Sequence, residues 1–139
     1  MRTLGVDFGE KRVGLAISDP EGRVAVPLET LGRTSDAAVV GAIAELAGRE
    51  GVERLVVGEP VGLDGVRGAA AERARRFAAK LGAATGLPCE MVDEALTSVE
   101  AESRLRAAGV DPRRQPGRVD AVAAQILLQE ALDRAAARP

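Results

Sequence analysis

The first 31 residues of the chain contain three short apolar segments joined by turns too short to hold a helix. The segments cover residues 3–7, 13–17 and 23–31, and the turns between them contain Gly9 and the run Asp19-Pro20-Glu21-Gly22. Parallel strands need a long crossover connection, so strands joined this closely must pair antiparallel. The sequence therefore predicts an antiparallel meander of three strands.

Helices and strands alternate in the rest of the chain. Ser35 and Gly51 mark the start and the end of the first helix, since serine caps helix N-termini and glycine ends helices. The predicted elements after the meander are helices over 35–50, 69–84, from 97 to Gly109 and over 119–136, and strands over 52–57 and 89–92. This order predicts one α/β domain over residues 1–139. Its sheet should be five-stranded and mixed, flanked by helices.

Composition excludes several kinds of active site. The chain of 139 residues has no histidine, so it can hold neither a Ser-His-Asp triad nor a His-ligated zinc ion. The single cysteine, Cys89, lies in a predicted strand, where we expect a small apolar filler. A net charge of −2 argues against binding nucleic acid through bulk electrostatics and leaves that task to local basic patches.

The sequence predicts a cytoplasmic protein with no membrane partner. The first strand pattern reaches Asp7 too early for a signal peptide. No uncharged apolar run approaches the length of a transmembrane helix.

Three acids stand where a predicted strand ends or a predicted helix begins: Asp7, Glu94 and Asp120. Taken singly, each also fits a turn or a helix N-terminus, where acidic side chains are favoured. Taken together, carboxylates without histidine are the ligands that Mg²⁺ or Mn²⁺ prefers. If the three converge, the chemistry they indicate is metal-assisted phosphodiester hydrolysis.

Five motifs spread over nearly the whole chain resemble those of the YqgF family (RuvX-like), an RNase H-like group described as pre-16S rRNA nucleases and Holliday junction resolvases. The motifs are Gly5-Val6-Asp7-Phe8-Gly9, Gly14-Leu15-Ala16-Ile17-Ser18-Asp19, Gly58-Glu59-Pro60, the segment 93–98 and the segment 119–127. The resemblance implies an RNase H-like fold with Asp7, Glu94 and Asp120 as the catalytic, metal-binding acids. The implied cofactor is a pair of Mg²⁺ or Mn²⁺ ions roughly 4 Å apart.

Two positions depart from the family pattern. The family usually has arginine after the Asp-Glu pair, where this chain has Ala95, so a phosphate contact is lost. The family usually has an apolar residue where this chain has Glu59. RNase H-like nucleases generally carry an acid near the end of the fourth strand, and we hypothesise that Glu59 supplies or supplements that catalytic ligand. An exposed loop glutamate is the alternative.

Cationic and hydroxyl side chains are the predicted contacts for nucleic acid. The resemblance implies that Lys11 and the loop after Pro60 lie near substrate. The candidates that would neutralise backbone phosphates are Lys11, Arg12, Arg67, Arg113 and Arg114. Thr97 and Ser98 could donate hydrogen bonds to phosphate, although capping of the helix that follows is their alternative role.

The function implied by the resemblance is processing of the 5′ end of precursor 16S rRNA by a metal-dependent nuclease. One alternative is a Holliday junction resolvase acting on four-way DNA, which would need a homodimer, even a weak one, to make paired cuts. Another is an RNA-binding ribosome-assembly factor without catalysis. Nucleotide binding is a third, because Asp7-Phe8-Gly9 and the following hairpin also resemble the phosphate loop of actin-like ATPases and sugar kinases.

Overall fold

The structure, a computed structural model, describes residues 1–9, 11–60, 68–94 and 97–138, with the side chains of Glu94 and Ser98 left out. Strands and helices follow the predicted order. They are β1 (Thr3–Phe8), β2 (Arg12–Ser18), β3 (Ala25–Gly32), α1 (Asp36–Glu50), β4 (Arg54–Pro60), α2 (Ala69–Thr85), β5 (Cys89–Glu94), α3 (Thr97–Ala107) and α4 (Pro116–Ala136). The predicted Gly-rich loop over 61–68 lies outside the described residues except for Gly68.

The five strands form one mixed sheet in the order β3-β2-β1-β4-β5. β1 pairs antiparallel with β2, and β2 pairs antiparallel with β3, as the short turns require. β1 pairs parallel with β4, and β4 with β5. The predicted five-stranded mixed sheet with an antiparallel first half is therefore confirmed, and β1 is its central strand.

Helices α1 and α2 cover one face of the sheet. Alternate residues of the strands point to this face, because successive side chains of a strand lie on opposite sides. Leu4, Leu15 and Leu55 from the strands pack there with Ile43 of α1 and Phe77 of α2, all fully buried. Burial of these large apolar side chains stabilises the packing of α1 and α2 on the sheet.

Helix α4 covers the other face, and α3 packs on α4 rather than on the sheet. The sheet-facing side of α4 is formed by Ala124, Leu127, Leu128, Ala131 and Leu132. The side against α3 is formed by Val119, Ala123 and Ile126, with Val122 partly buried beside them. The apolar side chains of α4 thus form two contact surfaces, one against the sheet and one against α3. Neither α4 nor any other helix in the described part of the chain is long and apolar enough to cross a membrane.

Two glycines let the backbone of α4 lie directly on β1 and β2. A Cβ atom on Gly5 would come within 2.8 Å of the Cβ of Leu128. A Cβ atom on Gly14 would come within 2.1 Å of the main-chain oxygen of Asp120. Gly5 and Gly14 therefore permit the close approach of α4 to the sheet.

Hydrogen bonds to backbone groups fix α4 along strand β3. The Thr30 hydroxyl donates to the carbonyl oxygen of Gly117 at 2.5 Å. The amide of Gln129 accepts from the Ala25 N–H at 2.9 Å and donates to the Arg23 carbonyl at 2.9 Å. Gln125 donates to the Ala25 carbonyl at 3.1 Å. These contacts hold the whole length of the helix in one position over the sheet.

Element boundaries differ from the predicted ones at two places that matter for the site. β4 continues through Gly58 and Glu59 to Pro60, where the sequence placed the end of the strand at Val57. α4 begins at Pro116 instead of Val119, since proline suits the first turn of a helix, whose N–H groups have no intrahelical acceptor. Asp120 consequently lies one turn inside the helix and not in its first turn.

Candidate functional site

Asp7 lies near the end of the central strand, on the face covered by α4. It follows Gly5 by two residues and therefore shares the side of the sheet on which Gly5 contacts Leu128. The side chain of Asp7 is buried, with 9% of the residue exposed. Its partner across the β1–β2 ladder is Gly14.

Asp120 reaches the same place from α4. The main-chain oxygen of Asp120 lies over Gly14, so close that only glycine fits there. Gly14 in turn is the cross-strand neighbour of Asp7, and directly opposed residues of antiparallel strands lie about 5 Å apart. The register of the hairpin and the absence of a side chain at Gly14 together bring Asp7 and Asp120 to one position on the sheet.

An open cleft of about 280 Å³ adjoins Asp120 and is lined by Gly9, Lys11, Arg12 and Asp120. A tight hairpin forms its wall, since the Gly9 N–H donates to the Arg12 carbonyl at 2.9 Å. A larger groove of about 500 Å³ lies between β3 and the start of α4. Glu29 is the sole carboxylate residue that lines this groove among the residues described, whereas the smaller cleft adjoins Asp120.

Arg12 forms an ion pair with Asp120 inside the cleft. Its Nε atom lies 2.6 Å from Oδ2 of Asp120, and the two side chains are 40% and 21% exposed. Arg12 opens β2 two residues before Gly14 and so points to the α4 face, like Asp7. The sequence prediction of Arg12 as a nucleic-acid contact did not foresee this pairing, because it joins residues 108 positions apart.

Glu94 is the last residue of β5 and pairs in register with Pro60 of β4. It follows Val92, which packs in the cluster between the sheet and α4. The two-residue period of a strand therefore gives position 94 the same side as Val92. The side chain of Glu94 is outside the described residues.

Glu59 is not brought together with Asp7 and Asp120. It lies two residues after Val57, which packs in the cluster with α1 and α2 on the opposite face. Its carboxylate forms an ion pair with Arg75 of α2, and the residue is buried with 6% exposed. The hypothesis that Glu59 completes the metal site is corrected accordingly, and the alternative of an exposed loop residue does not hold either, because Glu59 is inside β4.

The predicted phosphate contacts other than Arg12 lie at separate places in the fold. Lys11 is exposed at the cleft. Arg113 and Arg114 are exposed on the turn before α4, 3.4 and 3.9 Å from carboxylate oxygens of Asp111. Thr97 is buried at the start of α3, with 4% exposed, which favours its structural role. Arg67 and the side chain of Ser98 lie outside the described residues.

The donors at this position are suited to a hard divalent cation. Asp7 and Asp120 offer carboxylate oxygens, the ligand type of Mg²⁺ and Mn²⁺. Within the described residues there is no cluster of three or more His, Cys, Asp or Glu side chains, and the Glu94 side chain is not among them. The structure thus places two residues with carboxylate oxygens, Asp7 and Asp120, on the α4 face. Position 94 at the end of β5 provides the place for a third.

The thiol of Cys89 is another candidate nucleophile, and it lies away from this cleft. It packs partly buried against the cluster of α1 and α2, as the filler role predicted. Burial raises the pKa of the Cys89 thiol from 9.0 to about 11. A neutral thiol at physiological pH is not a nucleophile, so we exclude Cys89 from the chemistry.

We expect the native protein to react slowly with iodoacetamide at Cys89. Two units of pKa reduce the thiolate fraction at pH 8 by about a hundredfold, and the rate should fall by a similar factor. The measurement is the rate of carbamidomethylation by mass spectrometry at pH 8 and at pH 10.5, with the urea-unfolded protein as control. Equal rates for native and unfolded protein at pH 8 would contradict the burial of this thiol.

The sheet order, the parallel and antiparallel pairing and the helix layers define an RNase H-like fold. Thermus thermophilus RuvC has the same fold, with a TM-score of 0.62 at 18% identity, over 98% of this chain and 96% of that one. The fowlpox virus resolvase solved with Holliday junction DNA superposes with a TM-score of 0.61 at 11% identity, over 99% of this chain and 100% of that one. At these identities the likeness concerns the fold alone.

The chain belongs to the RuvX family, whose model is described as a Holliday junction resolvase and matches residues 1–134. The family resemblance predicted from the five motifs is thereby confirmed. A relative from Anaeromyxobacter sp. (strain K), named "Putative pre-16S rRNA nuclease", is 52% identical over 98% of this chain and 99% of its own length. A relative of the same name from Syntrophus aciditrophicus is 47% identical, over 96% of this chain and 89% of its own length.

Proposed function

We propose that this protein is a divalent-metal-dependent nuclease that hydrolyses phosphodiester bonds in structured nucleic acid, with the 5′ end of precursor 16S rRNA as its substrate. The observation that carries the proposal is the position of Asp120 directly over Gly14, the cross-strand neighbour of Asp7, on the α4 face of the sheet. Two acidic residues are thereby placed next to each other by the strand register and the seat of α4. The names of the relatives and the family description support the same activity.

The proposed metal ligands are Asp7, Asp120 and Glu94. Asp7 is fixed by the register of β1, and Asp120 by the contacts that hold α4 on β3. We include Glu94 because it follows Val92, which packs on the α4 side, by two residues in β5. When bound as a pair, Mg²⁺ or Mn²⁺ supplies activation of water and neutralisation of charge at the departing 3′-oxygen.

The residues of the chain itself position the substrate. Lys11 at the cleft and Arg113 and Arg114 on the turn before α4 lie on the parts of the chain that flank Asp120. Their cations would bind backbone phosphates, which fixes the position of a nucleic acid without reading its sequence. A protein with a net charge of −2 needs such a local arrangement to bind a polyanion.

Four-way DNA is the second candidate substrate, because the matching family model is described as a Holliday junction resolvase. Paired cuts at a junction would require two active sites, and hence a homodimer. The cytoplasmic location stays a prediction from the sequence and agrees with either substrate.

Substrate choice is tested by incubating the purified protein with a precursor 16S rRNA transcript and with a synthetic four-way DNA junction. Each is assayed with Mn²⁺ and with a chelator, and the products are resolved on sequencing gels. We expect cleavage of the RNA near the mature 5′ end in Mn²⁺ and none with chelator. Cleavage of the junction alone would establish the second candidate. Binding of RNA without cleavage in Mn²⁺ would instead indicate an assembly factor without catalysis.

A further inference from the structure

The ion pair with Arg12 involves the carboxylate of Asp120, which the proposed function assigns as a metal ligand. The Arg12 Nε–H donates to Oδ2 of Asp120 at 2.6 Å, the length of a strong charge-assisted hydrogen bond. Arg12 begins β2 and Asp120 lies in α4, so the contact bridges the hairpin and the helix across the mouth of the cleft. A guanidinium and a divalent cation beside one carboxylate repel each other, so the two compete for Asp120.

The exposure of the pair allows it to open without disturbing the core. The Arg12 side chain is 40% exposed and that of Asp120 is 21% exposed. A pair at this depth is screened by solvent and adds little to stability, so separating it costs the fold little. Asp7, in contrast, is 9% exposed on the inner side of the same position. The outer carboxylate, that of Asp120, therefore has a cationic partner that can exchange.

We propose that Arg12 is the counter-ion of Asp120 in the metal-free protein and that a divalent cation displaces it. The displaced guanidinium stays at the rim of the cleft beside Lys11, where it binds a phosphate of the nucleic acid. Cation binding thus makes available one more phosphate contact, and nucleic acid that holds Arg12 favours the cation in return, because such coupling is reciprocal. This inference rests on the proposed function and assigns Arg12 a positioning role in it.

A permanent clamp is the competing explanation of the same contact. In that case Arg12 would hold Asp120 in the orientation needed by the metal, and its loss would weaken cation binding. Displacement makes the opposite prediction, since removing the competitor tightens cation binding. The sign of the change in metal affinity therefore separates the two.

The experiment is titration calorimetry of Mn²⁺ into the purified full chain without nucleic acid, for wild type, Arg12→Gln and Lys11→Gln. Lys11→Gln removes the same unit charge from the same cleft but leaves the pair with Asp120 in place. We expect Arg12→Gln to bind Mn²⁺ about fivefold more tightly than wild type, which corresponds to an ion pair worth about 1 kcal/mol. Lys11→Gln should change the affinity by less than about twofold.

A second measurement follows Arg12 itself in the wild-type protein. The Arg12 Nε–H resonance of ¹⁵N-labelled wild-type protein, assigned by its absence in Arg12→Gln, should shift as diamagnetic Mg²⁺ is added. An unshifted resonance while Mg²⁺ binds, or weaker Mn²⁺ binding by Arg12→Gln, overturns displacement and leaves the proposed nuclease intact. If both variants bind Mn²⁺ more tightly by the same factor, the loss of net charge alone explains the change. That result also overturns displacement. If no form of the protein binds Mn²⁺, the metal-dependent function itself fails.

Discussion

Replacement of Asp7 by asparagine is expected to abolish metal-dependent cleavage while the protein stays folded. Asparagine has nearly the same volume, and Asp7 lies on the inner side of the proposed metal position with 9% exposed. Loss of a charged ligand there removes several kcal/mol of stabilisation of the transition state, and each 1.36 kcal/mol is a factor of ten in rate. We expect a decrease in kcat of at least about a thousandfold, measured in Mn²⁺ on the substrate that the wild type cleaves.

The matched control for this prediction is Glu59→Gln. It makes the same change from carboxylate to amide on the adjacent strand β4, but on the face that packs with α1 and α2. Its ion pair with Arg75 places it away from the α4 side, so we expect cleavage within about threefold of wild type. Full activity of Asp7→Asn, with an unchanged melting temperature, would remove Asp7 from the site. Equal losses in the two variants would show that strand face does not determine the role of these acids.

The second large effect is expected for Gly14→Ala. The added Cβ would lie 2.1 Å from the carbonyl oxygen of Asp120 and 2.4 Å from its carbonyl carbon. Neither atom can move without shifting α4, so the cost should reach or exceed the upper end of ordinary overpacking, about 3 kcal/mol. In a domain of this size that lowers Tm by about 10 °C. Displacement of Asp120 by about 1 Å should reduce cleavage about a hundredfold.

Gly32→Ala is the control for Gly14→Ala. Gly32 ends β3 in the same sheet, and a Cβ atom built there meets nothing within 4 Å. Differential scanning calorimetry of the two variants should show a stability change within about 0.5 kcal/mol for Gly32→Ala. If Gly14→Ala melts like Gly32→Ala and keeps its activity, close contact between α4 and β2 is not what positions Asp120.

The order of strands and helices was predictable because local signals agreed with the tertiary structure. Ser35 accepts a hydrogen bond from the Ala38 N–H at 3.1 Å, and Gly51 ends α1 in a left-handed conformation with φ of 68°. The short turns before β2 and β3 left antiparallel pairing as the sole possibility for this part of the sheet. These features depend on neighbours in sequence, which is why the sequence alone revealed them.

The extent of β4 and the face of Glu59 depended on partners that local sequence does not reveal. Gly58 and Pro60 are strand breakers by propensity, yet parallel pairing with β5 continues as far as Pro60 opposite Glu94. The extension places Glu59 in a strand facing Arg75 of α2, 16 residues later. Likewise, the sequence predicted Arg12 and Asp120 as separate contacts, because their pairing arises only when α4 is placed on the hairpin.

The hydrogen bonds of Gln125 and Gln129 near the start of β3 have a consequence for which side chains the outer strand can carry. Gln125 contacts the main chain of Ala25, and Gln129 contacts the main chain of Ala25 and Arg23, through groups that every amino acid other than proline possesses. The helix that carries Asp120 is thus anchored without reference to the neighbouring side chains Val24, Val26 and Leu28, which are exposed. Replacement of these three side chains should therefore leave the helix that carries Asp120 in place.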